Sequence, residues 1–240
     1  WNESIRRARG TWIKLMHDDD WFADEYSLQK FYKATKAHPN CSFFFSAYNN
    51  VFDTNRKSET VRLTNIGHFM LKQSVLNLFK KQYVGNPSCT LIKRDIGLYY
   101  DNNFKWVVDF EYYMRVLKTT KTFFYIDQVL VNVGVNEDQV TKYTFRNPGV
   151  EIPENHLLIE KSGFDILRNL FVYDHYWRLY RNLEITDESM VKRYYDSQLH
   201  PFLRQMIHFQ KRMPRGFLTP GFDSTVLLSG NYFVSLFTKL

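Results

Sequence analysis

Apolar residues in the first half of the chain switch between two spacings, a period of two and a period near 3.6, as strands interleaved with helices would. Residues 2–9 predict a short helix and, after a break at Gly10, residues 11–16 alternate as a strand with one buried face. Residues 24–38 repeat apolar side chains at Tyr26, Leu28, Phe31, Tyr32 and Ala34, a helix stopped by Pro39 and Asn40. The aromatic run 41–52 predicts a second strand, 53–59 a turn, 60–63 a short strand and 71–83 a helix. Residues 88–93 predict a strand, 106–118 a helix with Val107, Phe110, Tyr113, Met114 and Leu117 on its apolar positions, and 122–133 two strands broken at Asp127 and Gln128. This alternation predicts an α/β layered body.

From Asn147 onward the pattern turns helical, over 153–161, 164–183 and 187–213, with Pro201 as a kink. Residues 1–146 are thus expected to form one domain and 147–240 a helical extension, whose last stretch, 221–240, is apolar and Ser/Thr-rich with no assigned partner.

Composition narrows the class. At 240 residues and 44% hydrophobic, the chain can bury one sizeable core, which argues against disorder. The net charge of +7 suits nucleic acid, anionic lipid or a phosphorylated substrate. Lys and Arg are dispersed among acids rather than gathered on one aromatic-laced segment, which disfavours nucleic acid. No stretch approaches the ~20 apolar residues of a membrane span and no leader pattern is seen, so a cytoplasmic protein, resting at the inner face of the membrane, is expected. Cys41 and Cys89 lie in no CxxC or CxxH spacing, so two buried reduced thiols are expected. The start at Trp1 instead of Met leads to the expectation of further sequence upstream.

Asp18, Asp19 and Asp20 end an amphipathic strand, where three desolvated charges would be costly without a partner. Two readings stand open: a Mg²⁺ or Mn²⁺ site, because hard oxygen donors suit those ions, or a solvated acidic turn capping the following helix.

The segment WNESIRRARGTWIKLMHDDDWF resembles the family 2 glycosyltransferases, with Trp-Asn, a short helix, Ala-x-Gly, an aromatic-led strand and an acidic cluster in the same order. Two weaker blocks are similar to the same family: Gly85-Asn86-Pro87-Ser88 leading into 89–94, and the loop following residues 129–135. A further specific block, Asp109-Phe-Glu111 with Arg115, looks like its D-x-E-x-x-x-R helix. His17 stands where many members carry Asp, and Val108 where many carry an acid. The resemblance spans about residues 1–144. It implies a GT-A-type, Rossmann-like mixed sheet flanked by helices, lacking its first strands, and inverting transfer of a sugar from a nucleotide-diphosphate donor to a saccharide or lipid-linked acceptor in cell-surface polysaccharide synthesis. Carried over by position, Asp109 is the base, Asp19 the ligand of Mn²⁺ or Mg²⁺, and Asp18, Asp20, Gln139 and Thr141 contact the donor. Lys142 and Arg146 would balance phosphate charge or form a solvated basic face. Glu111, about 200° from Asp109 around a helix, is expected to pair with Arg115 instead. The competing reading is a non-catalytic binding or scaffold protein for an anionic membrane surface or polyanion, in which the acidic triplet is only a cap.

Overall fold

A computed structural model describes residues 1–52, 57–136 and 143–213. Contacts divide the chain into two compact units, 1–142 and 143–240.

The first unit is a mixed sheet flanked by helices. Its strands are β1 (Trp12–Ile13), β2 (Asp20–Phe22), β3 (Phe43–Phe52), β4 (Ser58–Val61), β5 (Thr90–Lys93) and β6 (Phe124–Val135), and its helices α1 (Asn2–Arg7), α2 (Ser27–Ala37), α3 (Asn65–Gln73) and α4 (Val108–Thr120). The sheet order is β1-β5-β3-β6-β2, with β4 also pairing β3. β3 is the hub: it runs parallel to β6, while β5 and β4 pair antiparallel with its two halves on the other side.

Five consecutive buried residues, Phe43 to Ala47, show that β3 is covered on both faces, as expected for a strand pairing in parallel inside a layered protein. Phe43 meets Tyr113 of α4, with ring centroids 5.9 Å apart. Phe44, on the opposite face by strand alternation, joins Phe31 of α2, Cys89, Leu91, Leu130 and Val131. Helix α4 therefore covers one face and α2 the other.

Four expectations for this unit change. The strand over 11–16 shortens to Trp12–Ile13, because the residues beyond it bond to Ser88 instead of a neighbouring strand: Lys14 Nζ donates to its carbonyl and the His17 N–H to its Oγ. The helix over 71–83 becomes α3, starting earlier, and a separate 3-10 turn at Val75–Phe79; Ser74 between them is extended (φ −159°) and its hydroxyl accepts from the Leu76 N–H. In α2 the buried stripe is Ser27, Phe31 and Thr35, while Tyr26, Leu28 and Tyr32 are exposed. The two small polar residues enter because each is satisfied locally, Ser27 Oγ by Asp24 (3.1 Å) and Thr35 Oγ1 by the Tyr32 carbonyl (2.8 Å).

The fourth change is at Asp127 and Gln128, which interrupt one continuous strand as a bulge. Ser46 pairs Ile126, Ala47 pairs Val129 and Tyr48 pairs Val131, so β6 spends three more residues than β3 over this step. An odd excess swaps the faces: Phe124 and Ile126 before the bulge and Val131 and Val133 after it all reach the core around Phe44.

The second unit is helical over the described residues: α5 (Pro148–Ser162), a 3-10 turn (Phe164–Arg168), α6 (Leu170–Asn182), α7 (Glu188–Lys192) and α8 (Pro201–Arg212). Pro201 opens α8 instead of kinking a longer helix, since a missing N–H costs nothing at the first position. Tyr173, Tyr176, Trp177 and Tyr180 of α6 fill its core. Two histidines sit in the same interior: His156 Nε2 lies 3.0 Å from the Tyr180 hydroxyl, and His175 Nε2 lies 2.8 Å from Asn155 Oδ1.

Burial pushes His156 down to about 4 and, with Arg178 adding to it, His175 to about 3. Both are neutral in the folded state, whereas the unfolded chain takes up protons below about pH 6.5. Their contribution to stability is therefore complete above that pH and is lost as pH falls toward 4, by up to about 1.4 kcal/mol per histidine per pH unit. Urea midpoints followed by circular dichroism between pH 7.5 and 4.5 should fall accordingly, and the His156→Gln, His175→Gln double variant should show a flatter slope; an unchanged slope would mean the histidines are protonated in the fold.

Candidate metal and acid–base site

The acidic loop is held by contacts between residues far apart in sequence. Asp20, the first residue of β2, is buried; its Oδ1 accepts the Gly134 N–H at 3.1 Å and its Oδ2 accepts Asn86 Nδ2 at 3.1 Å. Gly134 belongs to β6 opposite this loop, and a Cβ there would lie 2.3 Å from the Asp19 carbonyl oxygen. The close approach requires glycine. Ser88, fully buried, anchors the other side through His17 and Lys14. The Gly85 to Ser88 block, a plain turn in sequence terms, is thus the clamp on the acidic cluster.

Donor atoms of His17, Asp19 and Asp20 all lie within 4.8 Å of one another. Asp19 Oδ2 is 3.4 Å from Asn136 Nδ2, and His17 Nδ1 is 3.7 Å from Asp20 Oδ2. Asp18 is exposed and outside this group. His17 stacks on Trp1 with centroids 5.0 Å apart and planes 7° apart, and its buried Nε2 has no hydrogen-bond partner. Burial above all lowers its pKa, with the three aspartates opposing, so the imidazole is neutral near pH 7 and able to bind a cation through nitrogen. Metal–donor bonds of about 2.0–2.2 Å need donors about 3–4.4 Å apart, so this set fits a divalent ion after a slight closure. One imidazole with two carboxylates suits Mn²⁺ better than the all-oxygen preference of Mg²⁺. Lys14 adds a cation to the floor of the site, its ammonium over the Phe22 and Phe31 rings at 5.6 and 5.2 Å, and burial brings it down to about 8.

Asp109 stands in the first turn of α4, and its buried Oδ1 has no hydrogen-bond partner. Desolvation pushes its carboxyl up to about 7. The buried hydroxyls of Tyr100 and Tyr113 are likewise without hydrogen-bond partners, and both are harder to ionise because of burial first and the nearby Asp109 charge second. Two bridges connect this carboxylate to the acidic loop. The Cys89 thiol, raised chiefly by burial, feels both Asp20 and Asp109, and its Sγ is 3.2 Å from Asn86 Oδ1. Trp1, stacked on His17, also meets Tyr100 edge-on at 4.8 Å, while Asn2 exchanges two 2.8 Å hydrogen bonds with the Tyr100 backbone. The two carboxylate regions thus share neighbours.

Glu111, by contrast, is buried in a two-pronged pair with Arg115 at 2.6 and 2.7 Å, the pairing its spacing implied. Arg115 also donates to the Tyr99 carbonyl at 2.7 Å, fixing the segment before α4. Gln139, Thr141 and Lys142 lie outside the described residues. Arg146 belongs to the second unit, where its N–H donates to Glu151 and its guanidinium lies over Phe145. Cys41 and Cys89 are buried and free. A cavity of about 230 Å³ lies elsewhere, among Ile5, Ile13, Ile92, Leu98 and Tyr112, and no acidic residue lines it.

The anchoring roles of Asn86, Ser88 and Gly134 and the nitrogen donor of His17 emerge only in the folded chain; in sequence His17 heads the acidic cluster, Asn86 and Ser88 lie in a block similar to the family, and Gly134 interrupts an otherwise apolar strand, a mark of close backbone approach. These contacts separate two neighbouring aspartates experimentally. Asp20→Ala leaves the Gly134 and Asn86 donors unpaired in the interior and should cost about 2–3 kcal/mol of stability by urea unfolding. Asp19→Ala should cost under about 1 kcal/mol, as most changes away from a buried network do. Equal losses would remove the distinction between a framework and a ligand carboxylate.

Comparison with family models and with curated proteins finds no match to this chain.

Proposed function

We propose that this chain transfers a sugar from a nucleotide-diphosphate donor to a hydroxyl of a saccharide or lipid-linked acceptor, with inversion, and that its mixed sheet is of the GT-A type implied by the sequence resemblance. The observation that carries the reading is Asp109: a buried carboxylate oxygen without a partner, tuned to about 7, sharing neighbours with His17, Asp19 and Asp20, whose donor atoms could hold a cation.

In an inverting transfer the acceptor hydroxyl attacks the anomeric carbon opposite the departing nucleoside diphosphate, and its proton must leave as the bond forms. A base near pH 7 is well matched to that step. Asp109 Oδ1 is assigned to accept the proton, and the hydroxyls of Tyr100 and Tyr113 are available to orient the acceptor or the protonated carboxyl. Asp19 and His17 are assigned to hold Mn²⁺ or Mg²⁺, with Asp20 as the pinned third donor. A bound ion there would offset charge gathering on the diphosphate. Exposed Asp18 is assigned no metal contact and remains a candidate for the donor's nucleoside end. The combination of one tuned base and one cation site favours catalysis over a scaffold role, in which neither the buried unpaired oxygen nor the neutral imidazole would have a use.

In assays of transfer or hydrolysis over a panel of nucleotide sugars, Asp109→Asn should lower turnover ~10²-fold or more with donor affinity nearly unchanged. Turnover of the parent protein should rise with pH through about 7, where Asp109 loses its proton, and the variant should lack this limb. Near-parental turnover in Asp109→Asn would end its assignment as base. Separately, Asp19→Ala should abolish Mn²⁺ binding measured by titration calorimetry on the 240-residue chain; an unaltered isotherm would exclude Asp19 as a ligand.

A further inference from the structure

From Thr60 to Arg94 the chain carries Arg62, Lys72, Lys80, Lys81, Lys93 and Arg94 and no Asp or Glu. Arg62 and Lys93 are engaged with Asp127 and Asp95. Lys72 on α3, and Lys80 and Lys81 beyond the 3-10 turn, are exposed. The same helix turns two large apolar side chains to the outside: Ile66 is 74% exposed and Phe69 60%. At about 100° per residue, Phe69 lies about 60° from Ile66 around α3, with half-buried Met70 on the other flank and Lys72 about 60° beyond Phe69.

This outward face is held in place. Gly67, on the inner side, has no room for a Cβ, which would meet the Tyr83 ring at 2.9 Å and Leu63 at 3.0 Å. Thr64 Oγ1 accepts the Gly67 N–H at 3.0 Å at the start of α3, and Asn77 Nδ2 donates to the Met70 carbonyl at 2.6 Å near its end. The helix cannot roll inward to hide Ile66 and Phe69 without breaking these contacts.

We infer that α3 and the lysines after it form a docking surface for an anionic phospholipid bilayer. A helix with an apolar face and flanking cations lies in the interfacial layer, its apolar side chains among the acyl-chain ends and its lysines at the headgroup phosphates. The acid-free stretch selects an anionic surface over a neutral one. No helix among the described residues is long and apolar enough to cross a membrane, so the contact lies along the surface. The chain passes from this surface through Tyr83 and Gly85 directly to Asn86, the residue that holds Asp20, so docking would bring the candidate site close to lipid.

The test is sedimentation of the 240-residue chain with vesicles of zwitterionic lipid alone or with anionic lipid as about one part in three, without donor or metal, so that its outcome is independent of transfer activity. The protein should pellet with the anionic vesicles only and be released by salt. Ile66→Ser with Phe69→Ser, and in a separate variant Lys72→Glu, Lys80→Glu and Lys81→Glu, should each weaken binding by about tenfold or more with the unfolding midpoint unchanged. Failure to pellet with anionic vesicles, equal pelleting with neutral ones, or parental binding by either variant overturns the inference. A concentration-dependent dimer lost in the Ile66→Ser, Phe69→Ser variant, without vesicle binding, would assign the face to a second copy of the chain instead.

Discussion

The Asp20 carboxylate is the tie on which the first unit's chemistry depends. Its two oxygens accept from Asn86 and from the backbone of Gly134, residues 66 and 114 positions away, so three separate segments converge on one buried charge. A buried carboxylate is costly unless its lone pairs are used, and these two donors supply that compensation. Because Asp20 is fixed, the residues just before it are fixed as well: the Asp19 carbonyl is pressed against Gly134, and His17 is set between Ser88 and Trp1. Position, more than the number of acidic residues, decides what the cluster can bind.

Around this tie the sheet separates two kinds of carboxylate by environment. Asp20 is satisfied at both oxygens; Asp109 is shielded from water, lacks a partner at Oδ1 and titrates near neutrality. Groups with displaced affinities for protons cluster where chemistry is done, although structural networks displace them too. Glu111 shows the difference within a single helix turn: a carboxylate with less exposed surface than Asp109, it is held by Arg115 through both oxygens.

How much of this the sequence revealed follows from the range of the interactions involved. The pairing of Glu111 with Arg115 is local, four residues apart on a helix, and was readable from spacing. The strand character of 43–52 was readable from its aromatic density. The role of His17 as a nitrogen donor beside Asp19 and Asp20 was not, because it depends on Ser88 and on the ring of Trp1, which fold back from distant positions. The inner face of α2 is hidden from the sequence for a different reason: hydrophobicity favours Leu28 and Tyr32, yet Ser27 and Thr35 can be buried once their hydroxyls bond within the same turn. The sequence pattern divides the strand over 124–135 in two because Asp127 and Gln128 look like a turn, and only the pairing with β3 shows that the strand continues past them.

That bulge has an implication for how the chain tolerates change. Asp127 and Gln128 are exposed, and the Arg62 pair that Asp127 makes is a surface one of small worth, so their identities are less constrained than their number. Removing one of them would restore the parity that the bulge reverses, turn Val131 and Val133 away from the core, and carry the Gly134 amide off the Asp20 carboxylate. At this loop substitutions should accumulate freely while insertions and deletions are purged, a pattern of variation governed by counting residues instead of by their chemistry.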